Sequence, residues 1–190
     1  MAYTLGIINW RVRVKNQKVS SASPDTRGPG QTGVQKLQEE VSKRTDPKGL
    51  RDKALLHLLY DLALRRSEVV GLDLEDVDIE RGTLRILGKG RLQNETLSLP
   101  TRTRKILSDW IAVRGFFEGS LFINFHYNPR IQGNRLSATS LYRIIRDLGI
   151  QTGQKVRPHG LRHTAISEAV RKVQAVCGDG CDEGASVFEA

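Results

Sequence analysis

Residues 46–64 read DPKGLRDKALLHLLYDLAL, and this stretch predicts a helix in the middle of the chain. Asp46 can cap the first turn with its carboxylate. Pro47 loses nothing at the first helical position, where an N–H would have no partner. Apolar side chains then recur at helical spacing, which predicts one buried stripe ending near Leu64. The stripe comprises Leu50, Ala54, Leu55, Leu58, Leu59 and Leu62.

The sequence after this helix predicts a second helix and a hairpin. The helix begins around Ser67, and residues 83–87 and 95–99 form two β-branched or alternating runs. Glycines at residues 88 and 90 separate the two runs, which is typical of a hairpin, and Pro100 stops the second strand.

Three further helices are predicted in the second half of the chain. Thr101 opens one, Ser137 precedes another, and the last runs from about Pro158 to about Val173. A short apolar run at residues 121–125 follows the first of them. The predicted fold class is therefore α+β, a mainly α-helical domain with a small antiparallel β-sheet near its start.

Charge and composition divide the chain into three parts. Residues 1–45 contain a Ser-, Gly- and Pro-rich stretch and are predicted to be a linker or connector remnant. Residues 46–172 form the periodic domain, and residues 173–190 form an atypical acidic, Gly-rich tail. The net charge of +9 is the sum of −4 in this tail and +13 in the rest of the chain. A positive excess of this size indicates an anionic partner, with nucleic acid as the first candidate.

Composition also excludes several classes of protein. Hydrophobic residues make up 38% of the chain, and the 18 glycines bring the apolar share to that of packed domains, so a disordered chain is not expected. No apolar run approaches the ~18 residues of a membrane span. The basic residues follow the first apolar stretch, which argues against a signal peptide. Two cysteines give no disulfide framework and fit a reducing cytosol.

Three motifs occur in a distinctive order. They are LRRSEVVGL at residues 64–72, followed by Asp-Val-Asp at 76–78; GKG at residues 88–90; and PHGLRHT at residues 158–164. Together they resemble the catalytic domain of the tyrosine recombinase (phage integrase) family. The resemblance runs from about Asp46 to about Lys172, and the helix near Val34 to Val41 resembles the connector that leads into this domain. It implies a domain that binds DNA and carries out strand transesterification.

The resemblance implies catalytic roles for four residues. Arg65 and Arg162 would bind the scissile phosphate and stabilise the extra negative charge of the transition state, because a guanidinium stays charged and presents a planar fork of donors. Lys89 would contact the DNA and protonate the leaving 5′ oxygen as general acid. His159 would hold a phosphate oxygen or manage the proton of the nucleophile.

Two further residues of the motifs are expected to be structural. Glu68 would orient an arginine or the neighbouring backbone, and His163 would pack or bond within the fold. Ala63 stands where the family usually has glycine, two residues before the first arginine. Neither a metal nor a cofactor is implied, because the guanidiniums take the place of a metal and a phosphotyrosine keeps the energy of the broken bond.

The nucleophile of the family is missing from its expected place. The family has a His or Trp and then the nucleophilic Tyr after the second box, but no Tyr or Trp follows Tyr142 and no His follows His163. We therefore expect truncation or a change of reading frame near Gln174, and a domain that is inactive alone. Cys177 and Cys181 form a single C-x₃-C pair, which without a second ligand pair does not predict a metal site.

The sequence leaves three functions open. The first is a recombinase or integrase catalytic domain that binds double-stranded DNA but lacks its nucleophile. The second is a non-enzymatic DNA-binding remnant or regulator of a mobile element, and the third is a basic helical domain unrelated to recombination. The resemblance allows other recombinase subunits as partners, because some members donate the tyrosine between subunits. It implies a cytoplasmic, nucleoid-associated protein.

Overall fold

The computed structural model of the chain describes residues 28–87, 94–125 and 133–178. Within these residues, six α-helices surround a common core beside a three-stranded antiparallel sheet, which confirms the predicted α+β class. In chain order the elements are α1 (Gly30–Ser42), α2 (Pro47–Asp61), α3 (Arg66–Gly71), a 3₁₀ turn (Leu74–Asp76), β1 (Val77–Asp78), β2 (Thr83–Leu87), β3 (Asn94–Ser98), α4 (Thr101–Arg114), α5 (Ala138–Gln151) and α6 (Pro158–Gly178).

Helix α2 is the central helix of the domain and contacts each of the other five helices. Leu55, Leu56, Leu58 and Leu59 are all fully buried, so the buried surface extends around the helix and is wider than the predicted stripe. Pro47 occupies its first turn as expected, but the side chain of Asp46 makes no capping hydrogen bond. The helix ends at Asp61, three residues before the predicted end.

Helix α1 packs against α2, α5 and α6. Val34, Leu37 and Val41 lie three and four residues apart, so they share one helix face, and this face is buried in the common core. The helix predicted near Val34 to Val41 is therefore built into the same core as α2, although it falls within the segment predicted to be a connector.

The sheet has the strand order β1-β2-β3, with Thr83 paired to Ser98 and Leu84 paired to Leu97. The side chain of Leu84 is buried and that of Arg85 is exposed, which is the alternation that predicted the strand. Strand β1 was not expected, because a strand of two residues is too short to show a periodic pattern. The turn predicted at residues 88–90 lies outside the described residues.

The apolar run at residues 121–125 packs on α4 through aromatic contacts. The ring of Phe122 stacks on that of Trp110 with centroids 6.2 Å apart, and Phe125 approaches the same ring edge-on. The indole N–H of Trp110 donates to the carbonyl of Leu121 over 3.0 Å, which satisfies the one polar group of this buried side chain. The run is also held by backbone hydrogen bonds, from the N–H of Leu121 to the carbonyl of Leu72 and from the N–H of Leu136 to the carbonyl of Phe122, and by a β-bridge at Ile123.

Helix α6 extends five residues beyond its predicted end, into the segment predicted to be the tail. Its buried side includes Gly160 and Thr164, and Gly28 lies against this side. A Cβ atom at Gly28 would be 2.0 Å from the carbonyl oxygen of Gly160, so this close approach requires glycine. None of the helices in the described part of the chain is long and apolar enough to cross a membrane.

Candidate functional site

An open pocket of about 400 Å³ lies between the N-terminal ends of α3, α5 and α6. Three of the four residues predicted to be catalytic, Arg65, His159 and Arg162, line it together although about 100 residues of chain separate the first from the other two. The remaining lining residues are Leu64, Arg66, Ser67, Ala138, Tyr142, Arg157 and Pro158.

Arg65 is held in place by Glu68, one turn later at the start of α3. One carboxylate oxygen of Glu68 accepts from Arg65 Nη1 over 2.7 Å, and the other accepts from the backbone N–H of Arg65, also over 2.7 Å. The side chain of Glu68 is only 5% exposed, whereas that of Arg65 is 50% exposed. The buried carboxylate therefore orients a guanidinium that still has open donors toward the pocket.

Arg162 is tied to the turn between α2 and α3. Its Nη1 donates to the carbonyl of Ala63, two residues before Arg65. Ala63 has φ +49°, in the left-handed region, and this conformation turns the chain out of α2. The N–H of Ala63 donates to Tyr60 and that of Leu64 to Leu58, which satisfies two carbonyls at the helix end. The two arginines are thus coupled through a single short turn.

His159 and His163 both lie on the exposed side of α6. They are four residues apart, so their side chains share a helix face, and their ring centroids are 6.4 Å apart in an edge-to-face arrangement. The side chain of His163 is exposed and its ring contacts that of His159, so the structural role expected of it stays a prediction. His159 alone of the two lines the pocket.

Lys89 and the tail after Gly178 lie outside the described residues. The two strands that flank residues 88–93 are described, so the base of the hairpin is known, but no position for the Lys89 side chain follows from it. Cys177 ends the described part of α6 together with Gly178, and Cys181 lies beyond it. The contribution of Lys89 to the site therefore stays a prediction.

The pocket is strongly electropositive. Among the described residues that line it, four are arginines and none is Asp or Glu. The first residues of α5 and α6, Ala138 and Pro158, also line it, so the positive ends of two helix dipoles face the same space. This arrangement favours an anion with several acceptor oxygens.

Seven of the ten residues that line the pocket were not predicted to belong to the site, and they include Arg66, Tyr142 and Arg157. Arg66 lies inside the first motif and Arg157 directly precedes the second, so sequence adjacency was a signal, although only tertiary packing shows that both face the pocket. Tyr142 carries no such signal, because it reaches the pocket from α5, whose sequence shows only a helical apolar pattern.

A buried polar cluster supports the turn that couples the arginines. Nδ1 of His57 donates to Asp61 Oδ2 over 2.7 Å, and Thr103 Oγ1 of α4 donates to the same oxygen over 2.6 Å. Burial alone would raise the pKa of Asp61, but the hydrogen bonds from His57 and Thr103 outweigh burial and lower it. The cluster therefore joins the last turn of α2 to α4, just before Ala63.

A second cleft, of about 450 Å³, has the opposite character. It is lined by Asp73, Leu74, Glu75, Glu118 and Gly119. Asp73 is already paired with Arg135, whose other guanidinium nitrogen donates to two backbone carbonyls. In the part of the chain that the structure describes, no group of three or more His, Cys, Asp or Glu residues could hold a metal ion.

Comparison with known proteins gives one family match that covers most of the chain. The sequence profile of the phage integrase family matches residues 31–175. Tyrosine recombinase XerC of Stutzerimonas stutzeri is 37% identical over 128 residues, which is 65% of this chain and 40% of that protein. XerC of Corynebacterium glutamicum is 30% identical over 176 residues, which is 87% of this chain and 54% of that protein. The chain thus spans about half the length of these curated relatives.

Two solved structures share the fold. The XerA recombinase superposes with a TM-score of 0.63 over 77% of this chain and 51% of that chain, at 23% identity. The XerH site-specific recombinase bound to its difH substrate superposes with a TM-score of 0.62 over 76% of this chain and 43% of that chain, at 22% identity.

Proposed function

The chain belongs to the phage integrase family, and on this premise we propose that its arginine-lined pocket binds a phosphate of double-stranded DNA as the strand-transfer site of a tyrosine recombinase. The observation that carries the proposal is the convergence of Arg65, His159 and Arg162 on one pocket, with both guanidiniums oriented by protein acceptors. The XerH site-specific recombinase, which shares the fold, is bound to its difH substrate, and this is consistent with a recombination substrate as the ligand of this site.

The chemistry assigned to these residues is stabilisation of a crowded phosphorus centre. When a hydroxyl attacks a phosphodiester, a new P–O bond forms, the P–O5′ bond breaks, and negative charge grows on the non-bridging oxygens. Arg65 and Arg162 are both partly exposed and line the pocket. Each keeps guanidinium donors free for those oxygens. Because both are pre-oriented, little rearrangement is needed when the charge develops.

The remaining roles concern protons. His159 lines the pocket and is assigned to a phosphate oxygen or to the proton of the attacking hydroxyl. Lys89 is assigned as the general acid that protonates the leaving 5′ oxygen. These two assignments rest on the family motifs, and Lys89 falls between β2 and β3 in the chain, outside the described residues.

We assign no nucleophile to this chain, because no tyrosine follows the second motif. The chain is therefore proposed to bind DNA without cutting it alone. Other recombinase subunits are proposed as partners that could supply a tyrosine. A DNA substrate also implies that the protein is located in the cytoplasm, at the nucleoid. Tyr142 borders the pocket but precedes the second motif, so it does not occupy the family position.

A nicked suicide substrate tests the proposal. When the purified chain is mixed with nicked duplex DNA, we expect salt-sensitive binding and no covalent protein–DNA adduct on a denaturing gel. Arg65→Ala and Arg162→Ala should each weaken binding about tenfold or more, since charge-assisted hydrogen bonds contribute about 1.5–3 kcal/mol. An adduct from the wild type would overturn the inactive assignment, and its loss in Tyr142→Phe would identify Tyr142 as the nucleophile. Unchanged affinity in both arginine variants would overturn the site.

A second candidate function is a DNA-binding regulator of a mobile element that performs no chemistry. It requires only the phosphate-binding arginines that line the pocket. The two candidates differ in a mixture with a relative that keeps its tyrosine but lacks its first-motif arginine. If this chain is a catalytic partner, adduct formation by the relative should be restored; if it only occupies sites, adduct formation should stay absent.

A further inference from the structure

The four arginines of the pocket fall into two pairs. Arg65 and Arg162 are fixed by protein acceptors, the carboxylate of Glu68 and the carbonyl of Ala63. Arg66 and Arg157 are exposed, and within the described residues neither has a hydrogen-bond or ion-pair partner. Two guanidiniums are therefore oriented by the protein, and the other two can change their orientation when a ligand binds.

The charge of the pocket exceeds what one phosphate can neutralise. Four arginines line it, and among the described residues the one carboxylate bound to them is that of Glu68 on Arg65, so the net charge of these described groups is near +3. A phosphodiester carries a single negative charge, and successive phosphates of one strand add another charge about every 3.4 Å along the helix axis. Charge balance therefore favours a run of phosphates over a single one.

The free arginines are distributed evenly over the site. Arg66 follows Arg65 at the start of α3, and Arg157 directly precedes α6, the helix that carries Arg162. Each element that supplies a fixed guanidinium thus also supplies a free one. Because the two elements border the same pocket, the free pair extends the positive surface from both of them.

The size and lining of the pocket agree with a ligand larger than one phosphate. Its volume of about 400 Å³ is in the range of sites that hold whole small molecules. Leu64, Ala138 and Pro158 present apolar surface between the charged groups. Such surface suits the sugar carbons that join consecutive phosphates.

We propose that Arg66 and Arg157 bind the two phosphates that neighbour the one held by Arg65 and Arg162, so that the pocket takes three consecutive phosphates of one DNA strand. This inference rests on the proposed function, because it assumes that the central phosphate belongs to DNA. It assigns the free arginines to strand binding and leaves the transition-state contacts to the fixed pair.

The salt dependence of duplex binding tests the number of phosphate contacts. Arg66→Gln and Arg157→Gln should each reduce the slope of log K against log salt concentration by about 0.9, the value for one lost contact on duplex DNA. Arg81→Gln makes the same charge change at a side chain that is 84% exposed and does not line the pocket, so its slope should stay at the wild-type value.

The outcomes separate this inference from the proposed function. If the wild type fails to bind duplex DNA at any salt concentration, both are overturned. If the wild type binds and the slopes of Arg66→Gln and Arg157→Gln equal that of Arg81→Gln, the flanking contacts are overturned and the central site stands.

NMR of the arginine side chains, recorded with two ligands of defined size, distinguishes the fixed pair of arginines from the free pair. Inorganic phosphate should shift the Nε–H signals of Arg65 and Arg162 alone, whereas a trinucleotide with three phosphates should shift all four signals, assigned with the single variants. Shifts of equal size in all four signals with inorganic phosphate would overturn the division into pairs. A trinucleotide that shifts only the fixed pair would also overturn it.

Discussion

Ala63 is the residue at which the sequence and the backbone conflict. Its φ of +49° lies in a region that costs an L-residue about 1–2 kcal/mol, and glycine adopts it without this cost. The strain lies at the turn whose carbonyl accepts from Arg162. The departure from glycine noted in the sequence therefore falls on a residue that couples the two fixed arginines.

Ala63→Gly should stabilise the domain. Relief of the left-handed strain outweighs the greater flexibility of glycine in the unfolded chain, so the free energy of unfolding should rise by about 0.5–1 kcal/mol. Urea denaturation followed by circular dichroism measures the change. Ala112→Gly is the matched control, since Ala112 is exposed within α4 and the same substitution there should cost about 1 kcal/mol. A loss of stability in both variants would show that the turn at Ala63 is unstrained.

The arginines show how far single residues can be predicted. The spacing Arg-x-Ser-Glu selects Arg65, and in the structure Glu68 binds Arg65 and leaves Arg66 free of a described partner. Sequence spacing does not reveal that Arg66 faces the same pocket, because that depends on how the turn at Ala63 directs the start of α3. Arg157 escaped prediction for a related reason, since its proximity to Arg65 depends on tertiary packing.

At the scale of elements, the polar cluster of His57, Asp61 and Thr103 joins α2 to α4 beside the apolar core. Because the pKa of Asp61 is lowered by folding, its carboxylate stabilises the folded state above the unfolded pKa of about 3.9. That contribution is lost as the pH falls through the lower folded value. The pKa of Asp52 shifts in the opposite direction, because burial raises it despite the neighbouring Arg51.

Asp61→Asn should therefore reduce stability at neutral pH and flatten its acid dependence. Loss of two charge-assisted hydrogen bonds should lower the free energy of unfolding by about 2–3 kcal/mol at pH 7. Between pH 4 and pH 2 the variant should lose less stability than the wild type. Urea denaturation at several pH values measures both effects, with Asp109→Asn as the control at an exposed carboxylate 3.7 Å from Lys105. An acid limb identical to that of the wild type would contradict this account.

Elements with strong local signals were predicted well, and elements fixed by tertiary contacts were not. The start of α2 at Pro47 and the strand of residues 83–87 follow from proline placement and alternation. The run at residues 121–125 was predicted only as apolar, because its packing depends on Trp110 from another helix. Leu56 fell outside the predicted stripe, since burial on all sides of α2 requires neighbours that one helix cannot reveal.

Over the whole molecule, charge separates into distinct regions. The pocket gathers four arginines without an acid, while the second cleft holds Asp73, Glu75 and Glu118. The net charge of +9 includes four acids at residues 179–190, which lie outside the described part of the chain. The charge available for DNA binding is therefore larger than the total suggests, and it depends on how strongly those acids oppose the approach of a polyanion.

Neutralisation of the tail should strengthen DNA binding at low salt. Replacing Asp179 and Asp182 with Asn, and Glu183 and Glu189 with Gln, raises the net charge from +9 to +13. We expect a several-fold gain in affinity at 0.05 M salt that disappears near 1 M, where the screening length is only about 3 Å. The free energy of unfolding should change by less than about 0.5 kcal/mol, as is usual for surface substitutions.

A chain ending at Gly178 has the same net charge as the neutralised variant and serves as the control, because a purely electrostatic effect requires the two to bind DNA equally well. A gain that persists at high salt, or one confined to the shortened chain, would show that the tail obstructs the DNA sterically.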